Sequence, residues 1–259
     1  MAETLTSPQN PKIKELLALE KESRERNARG LFVVEGRREF ERAVAAGFEP
    51  VTVFVREGET DAPKADFFVS PRVYEKIAYR EGTEGVIAVM RARHTNLADL
   101  ALSPVPLIIV LEKVEKPGNL GAVLRSADAA GVDAVLVCDP LTDLYNPNLI
   151  RASLGAVFSV PVAVCASEEA YAWLAERGIA VLTAQLQDST PYDEADLTRP
   201  VALVFGTEDR GLTPFWRQRA DAHVRIPMAG MMDSLNVSVS AAVLAFEAVR
   251  QRKANSQER

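Results

Sequence analysis

The chain is poor in the residues that mark several protein classes. It holds two cysteines and two histidines in 259 residues. Cys138 and Cys165 lie in or beside apolar, strand-like runs, and neither they nor His94 and His223 fall in a metal-ligand spacing. No metal is therefore expected. The two thiols read as buried and reduced, which suits a cytoplasmic protein, and His223 reads as a structural residue on an apolar strand. Long hydrophobic runs are also missing: none approaches the ~18 residues of a membrane helix, and "MAETLTSPQNPK" lacks the apolar core of a signal peptide. No membrane association is expected. There is no G-x-S-x-G elbow and no Walker loop, so neither a serine hydrolase nor a P-loop enzyme is indicated. Internal repeats and low-complexity tracts are absent.

What remains is the composition of a globular protein, 47% apolar and 25% charged. The net charge of −6 speaks weakly against a nucleic-acid partner. Its distribution softens that argument. Residues 1–95 carry 16 of the 30 basic and 16 of the 36 acidic side chains, so the deficit lies in residues 96–259. Between Lys12 and Arg42, nine basic and seven acidic residues alternate, as on a basic face or on an ordinary solvated helix surface.

The hydrophobic patterning divides the chain. In the first part, "PKIKELLALEKESRERNARG" predicts an amphipathic helix ending at Gly30. Strands follow at "LFVVEG", "VTVFV", "DFFVS" and "GVIAVM", with helices at "RREFERAVAAG" and "PRVYEKIAY". This is a small α/β domain over residues 1–95, followed by a linker at 96–106. Residues 107–259 alternate again. Strands are expected at "LIIVLE", "DAVLVC", "IAVLTA", "VALVFG" and "AHVRIP", and helices at "NLGAVLRSADAAG", "NPNLIRASLG", "SEEAYAWLAERG" and "NVSVSAAVLAFEAVRQR". The fold class is α/β, a mostly parallel sheet with helices on both faces.

Ligands of such sheets bind beyond the carboxyl ends of the strands, and three loops there have unusual composition. "LEKVEKPGNLGAVLRSADAAG" runs from a strand through Pro117, Gly118, Asn119 and Gly121 into a helix. Arg125, one turn after Gly121, can face the same loop. Its G-x-x-G spacing does not match the G-x-G-x-x-G of dinucleotide-binding folds, and only Asp139 stands where a ribose-binding acid would be sought. A nicotinamide dehydrogenase is thus disfavoured. "VALVFGTEDRGL" brackets Thr207–Arg210 between two glycines. "IPMAGMMDSLNVSVSAAVLAFEAVR" alternates with period two over Ser234–Ser240, as a strand would, and then becomes rich in helix formers. We read it as a loop passing into a helix by Asn236, with Ser234 or Asn236 as N-cap and Val237, Ala241, Leu244, Ala245 and Ala248 facing inward.

Taken in order, "EKPGNLGAVLRSADAAG", "LVFGTEDRGL" and "IPMAGMMDSLNVSVSAAVLAFEAVRQR" resemble the three signature motifs of the SpoU/TrmH group of SPOUT RNA methyltransferases. The likeness covers roughly residues 107–252. Residues 1–95 resemble, less specifically, the L30e-like substrate-binding domain often fused in front. The resemblance implies ribose 2′-O-methylation of RNA with S-adenosylmethionine (AdoMet) as donor, a C-terminal trefoil knot, and a homodimer with the site near its interface. Carried over by position, it implies that Gly206, Ile226 and Leu235 contact the cofactor, with Phe205, Met228 and Ala184 as neighbours. It implies that Asn119, Arg125, Glu208, Ser234 and Asn236 form the polar catalytic set. The fused front domain favours ribosomal over transfer RNA as substrate, and a non-catalytic RNA-binding relative is disfavoured by the intact polar set. Arginine ionises too high to serve readily as a general base, so Arg125 is better read as a charged group that holds a phosphate and stabilises the developing alkoxide.

Overall fold

A computed structural model describes residues 2–78, 84–207 and 209–257. Among these, Cα proximity separates two compact units: residues 1–93 with 143–159, and residues 94–142 with 160–259.

The first unit begins with a short strand, β1 (Glu3–Leu5), missed in the sequence because three residues give no periodicity. Helix α1 (Pro11–Lys21) starts where Asn10 Oδ1 accepts from Lys12 N at 2.8 Å. The expected single helix is broken at Glu22, and α2 (Ser23–Arg29) ends on Gly30, whose φ of 62° provides a left-handed cap. Strands β2 (Leu31–Glu35), β3 (Pro50–Arg56), β4 (Phe67–Val69) and β5 (Val86–Arg91) complete a sheet of order β1-β4-β3-β5-β2, with α3 (Arg37–Ala45) and α4 (Pro71–Ile77) between them. β5 runs antiparallel to both β2 and β3. Ile13, Leu16 and Leu19 of α1 bury against Phe54, Val69 and Ile87.

Glu20, on the same helix, is mostly withdrawn from water. Burial, and then the Glu35 carboxylate, push its carboxyl up to about 8. The folded chain therefore keeps a proton that the unfolded chain releases above its ordinary pKa, so this group's contribution falls as pH rises from about 4.5 to about 8 and is level beyond. Glu20→Gln is expected to be more stable than the parent by roughly 2 kcal/mol at pH 8.5, with the difference much reduced at pH 5.5. Urea unfolding at the two pH values checks it; an equal difference at both would refute the assignment.

The second unit opens with β6 (Leu107–Glu112), α5 (Pro117–Ala130) and β7 (Ala134–Cys138). The chain then leaves it. Helices α6 (Pro147–Ala152) and α7 (Ala156–Ser159) belong to the first unit, although their sequence lies inside the stretch expected to be a single catalytic domain from 107 to 259. The physical reason is an ion pair and an aromatic cluster. Arg26, 3% exposed, places Nε 3.1 Å and Nη2 2.7 Å from the two Asp143 carboxylate oxygens, and its Nη1 donates to the carbonyls of Leu19 and Glu20. Tyr145 stacks on Phe32 at 4.3 Å, and Phe158 meets Phe48 edge-on at 5.2 Å.

The chain returns as β8 (Val162–Cys165), α8 (Ser167–Glu176), β9 (Ala180–Ala184), the two-residue β10 (Thr190–Pro191), β11 (Val201–Phe205), α9 (Pro214–Arg219), β12 (Ala222–Arg225) and α10 (Val237–Gln257). The sheet order is β10-β12-β9-β11-β6-β7-β8, every pair parallel. β6, β7 and β11 are buried along their length, as strands covered on both faces must be. α10 packs on α5, and Ala241, Leu244, Ala245 and Ala248 are buried as expected, whereas Val237, expected with them, is half-buried and lines the site described below. Cys138 and Cys165 are free thiols facing each other in register on β7 and β8. No helix among the described residues is long and apolar enough to cross a membrane.

Candidate active site

The carboxyl ends of β9, β11 and β12 converge, and their three loops enclose a cavity of about 360 Å³. Ala184, Phe205, Gly206, Ile226, Met228 and Leu235, the six residues expected to contact a cofactor, all line it. Its wall is apolar at Val224, Leu212 and Leu244 and polar at Gln185, Gln187 and Arg217. Size and mixed lining are those of a site for a nucleotide-like ligand. The sequence reading missed the polar side. Arg217 Nε lies 3.3 Å from Gln185 Oε1, and its Nη2 lies 2.5 Å from Gln187 Oε1. The only sequence signal was their place just after β9 and on the short α9.

The loop after β11 is closed on itself. Thr207 N donates to Gly211 O at 3.2 Å and Gly211 N to Thr207 O at 2.9 Å. Gly211 takes φ +66°, and Gly206 has no room for a side chain: a Cβ there would sit 2.2 Å from the Gly211 carbonyl carbon. Glu208, expected in the catalytic set, lies outside the described residues.

A second cavity of about 250 Å³ adjoins the first and shares Phe205, Gly206, Thr207, Asp209 and Val237 with it. Asn119, at the start of α5, lines this second space. Asn236 is bonded to it: its Nδ2 donates to Asn119 Oδ1 at 3.3 Å. The Asn236 carboxamide is itself fixed, because its Oδ1 accepts from Ser238 N at 3.0 Å and Ser238 Oγ at 2.6 Å. Asn236 thus caps α10 with one end of its side chain and holds Asn119 with the other. Ser238, unexplained in the sequence, orients Asn236, and Ser240 lines the first cavity.

Two expected members are placed differently. Ser234 lines the first cavity and donates to Asp233 Oδ1 at 3.0 Å, rather than standing beside Asn119. Arg125 is exposed and lines neither cavity, while Gly121, from which its direction was judged, is buried. Six residues separate Arg125 from Asn119, which on an α-helix turns it about 120° away. Asp139 lines neither cavity, and its carboxylate accepts from Ser167 Oγ at 2.6 Å. No group of three or more His, Cys, Asp and Glu among the described residues could hold a metal ion.

The comparisons with known proteins show the family of the chain. The model of the SpoU rRNA Methylase family matches residues 106–246, and that of the MRM3-like substrate binding domain matches residues 10–88. A 23S rRNA (uridine(2479)-2′-O)-methyltransferase of Streptomyces viridochromogenes is 30% identical over 97% of this chain and 93% of its own length. The crystal structure of an RNA 2′-O ribose methyltransferase, 43% identical, superimposes with a TM-score of 0.85 over 96% of this chain and 99% of that one. An AdoMet-bound rRNA methyltransferase from Sinorhizobium meliloti, 29% identical, gives 0.87 over 95% and 97%. With its three strand-end motifs gathered around two adjoining cavities and these relatives matched along nearly the whole length, the chain belongs to the SpoU rRNA methylase family.

Proposed function

We propose that this protein transfers a methyl group from AdoMet to the 2′-hydroxyl of a ribose in 23S ribosomal RNA, in the cytoplasm. One observation carries the reading: a cavity fit for the cofactor shares a wall with a second cavity lined by Asn119, with Asn236 bonded to it. AdoMet, when bound, supplies an electrophilic methyl on a sulfonium. The apolar wall of Leu212, Val224, Ile226 and Leu244 suits its adenosyl part, and the closely packed backbone at Gly206 and Gly211 suits contacts made by main-chain groups. An acceptor ribose in the second cavity would meet the methyl across Gly206 and Thr207, with Asn119 and Asn236 fixing the hydroxyl for in-line attack. Arg125 lines neither cavity of its own chain; in the homodimer that this reading includes, Arg125 of the second copy would hold charge on the RNA backbone and at the developing alkoxide.

The same reading includes a homodimer and the knotted chain path. Val239 (46% exposed) and Phe246 (47% exposed) lie seven residues apart on α10, so they share a face, and an apolar stripe of that kind suits burial by a second copy. β12 is inserted between β10 and β9, and the loops after β11 and β12 line one cavity, as a threaded C-terminal segment requires.

Incubation with methyl-labelled AdoMet and separate pools of undermodified 23S rRNA, 16S rRNA and tRNA tests the proposal. Label in alkali-resistant dinucleotides of 23S rRNA is expected. Label confined to tRNA would correct the substrate, label on a base would correct the chemistry, and no label in any pool would favour the non-catalytic alternative.

A further inference from the structure

One buried carboxylate in the second unit has no place in the scheme above. Glu112 ends β6 and is 3% exposed. Both of its oxygens are used by a single residue: Oε2 accepts from Thr213 N at 2.8 Å and Oε1 from Thr213 Oγ1 at 2.5 Å. Thr213 closes the loop that leaves β11 at Gly206 and precedes the first residue of α9. The register aligns Phe205 with Leu111, so Glu112 stands beside Gly206, where that loop begins. One residue at the end of β6 thus stands by the start of the loop through its backbone and holds the end of it through its side chain. The segment forms much of the wall between the two cavities, and Glu112 itself lines the second.

The middle of α9 is tied as well. Trp216, fully buried, donates through Nε1 to Ser167 Oγ at 3.1 Å, and Ser167 donates to Asp139 at 2.6 Å. Helix α9 and the loop before it are therefore anchored to β6 and β7 by carboxylates rather than by apolar packing alone. A charge is expensive to bury and is retained where its hydrogen bonds fix a geometry. A hydrophobic residue at 112 could fill this space, but it could not set where Thr213 stops.

We infer that Glu112 is a positioning residue for methyl transfer: its carboxylate grips Thr213 and holds the 206–213 segment where it shapes both the cofactor cavity and the acceptor cavity. The inference rests on the AdoMet site proposed above. In Glu112→Gln the Thr213 hydroxyl must turn to accept from the amide Nε2, and both bonds become weaker neutral ones.

The test is calorimetric binding of AdoMet at a temperature where circular dichroism shows each variant folded, alongside single-turnover methylation of 23S rRNA at saturating AdoMet. Glu112→Gln is expected to weaken AdoMet about tenfold and to slow the single-turnover rate by a similar factor. Thr213→Val, which keeps the N–H bond, should show a smaller loss of both, and Thr213→Ser should restore the parental values. Variants that melt earlier yet bind AdoMet and turn over like the parent would overturn the inference and leave Glu112 a stability element. Should Glu112→Gln not fold, the contrast between Thr213→Val and Thr213→Ser decides in the same way. If the unaltered protein binds no AdoMet, the cofactor assignment has failed, a result distinct from failure of the variants.

Discussion

Gly206→Ala is expected to weaken AdoMet binding by at least about a hundredfold, close to 3 kcal/mol, while leaving most of the fold intact. The reason is space. A Cβ at this position would lie 2.2 Å from the Gly211 carbonyl carbon and 2.3 Å from both Gly211 O and Leu212 N. These are backbone atoms and cannot rotate aside as the end of a flexible side chain could. To admit the methyl group, the loop must open at the Thr207–Gly211 pair, or Thr213 must leave Glu112. Either movement widens the wall between the two cavities, where Gly206 stands in both linings. Small-to-large changes in tightly packed places commonly cost about 1–3 kcal/mol, and here the strain falls on the binding loop rather than on the core. Calorimetry with AdoMet, paired with thermal unfolding, separates the two effects. Affinity within threefold of the parent would show that the loop gives way freely and that its closure is not what shapes the site.

The strand-end loops were legible in the sequence for a physical reason, whereas the packing of residues 143–159 was not. In a parallel sheet the ligand sits beyond the strands' carboxyl ends, so a strand run followed by glycines and small polar residues marks the place from local sequence alone. Phe205, Gly206, Ile226 and Met228 came as cofactor contacts with the family resemblance, whereas the loops after β11 and β12 needed no knowledge of what lies across from them. The attribution of residues 143–159 did. It depends on Arg26 meeting Asp143 across 117 residues of sequence and on Tyr145 stacking against Phe32, and periodicity carries no trace of either contact. β10 was missed because two residues are too short for a pattern, and the four-residue β8 was passed over as well. The alternation at Ser234–Ser240 pointed to a strand for a different reason: Asn236 and Ser238 are polar because they build one hydrogen-bonded cap, not because they share a solvent face. Arg125, four residues after the buried Gly121, lines neither cavity of its own chain, and no local pattern could show that.

That placement of Arg125 leads to the other large effect. Because it lines neither cavity and is exposed on α5, replacing it should leave AdoMet affinity within about twofold of the parent. Catalysis should respond very differently. Arg125→Lys is expected to lower the single-turnover rate by roughly a hundred- to a thousandfold, the range found when one preorganised donor to a developing oxyanion is removed. Lysine keeps the charge but not the planar fork that grips phosphate or alkoxide through two parallel bonds. The pH profile then tells the two roles of Arg125 apart. If the guanidinium accepted the ribose proton, lysine, which ionises lower, would recover activity as pH rises from 7 to 9.5. If it stays charged and stabilises the alkoxide, the deficit relative to the parent should hold constant from pH 7 to 9. We expect the constant deficit. A rate for Arg125→Lys within about fivefold of the parent across that range would remove the guanidinium from the mechanism, and would leave Asn119 and Asn236, already bonded to each other at the acceptor cavity, as the groups that fix the hydroxyl.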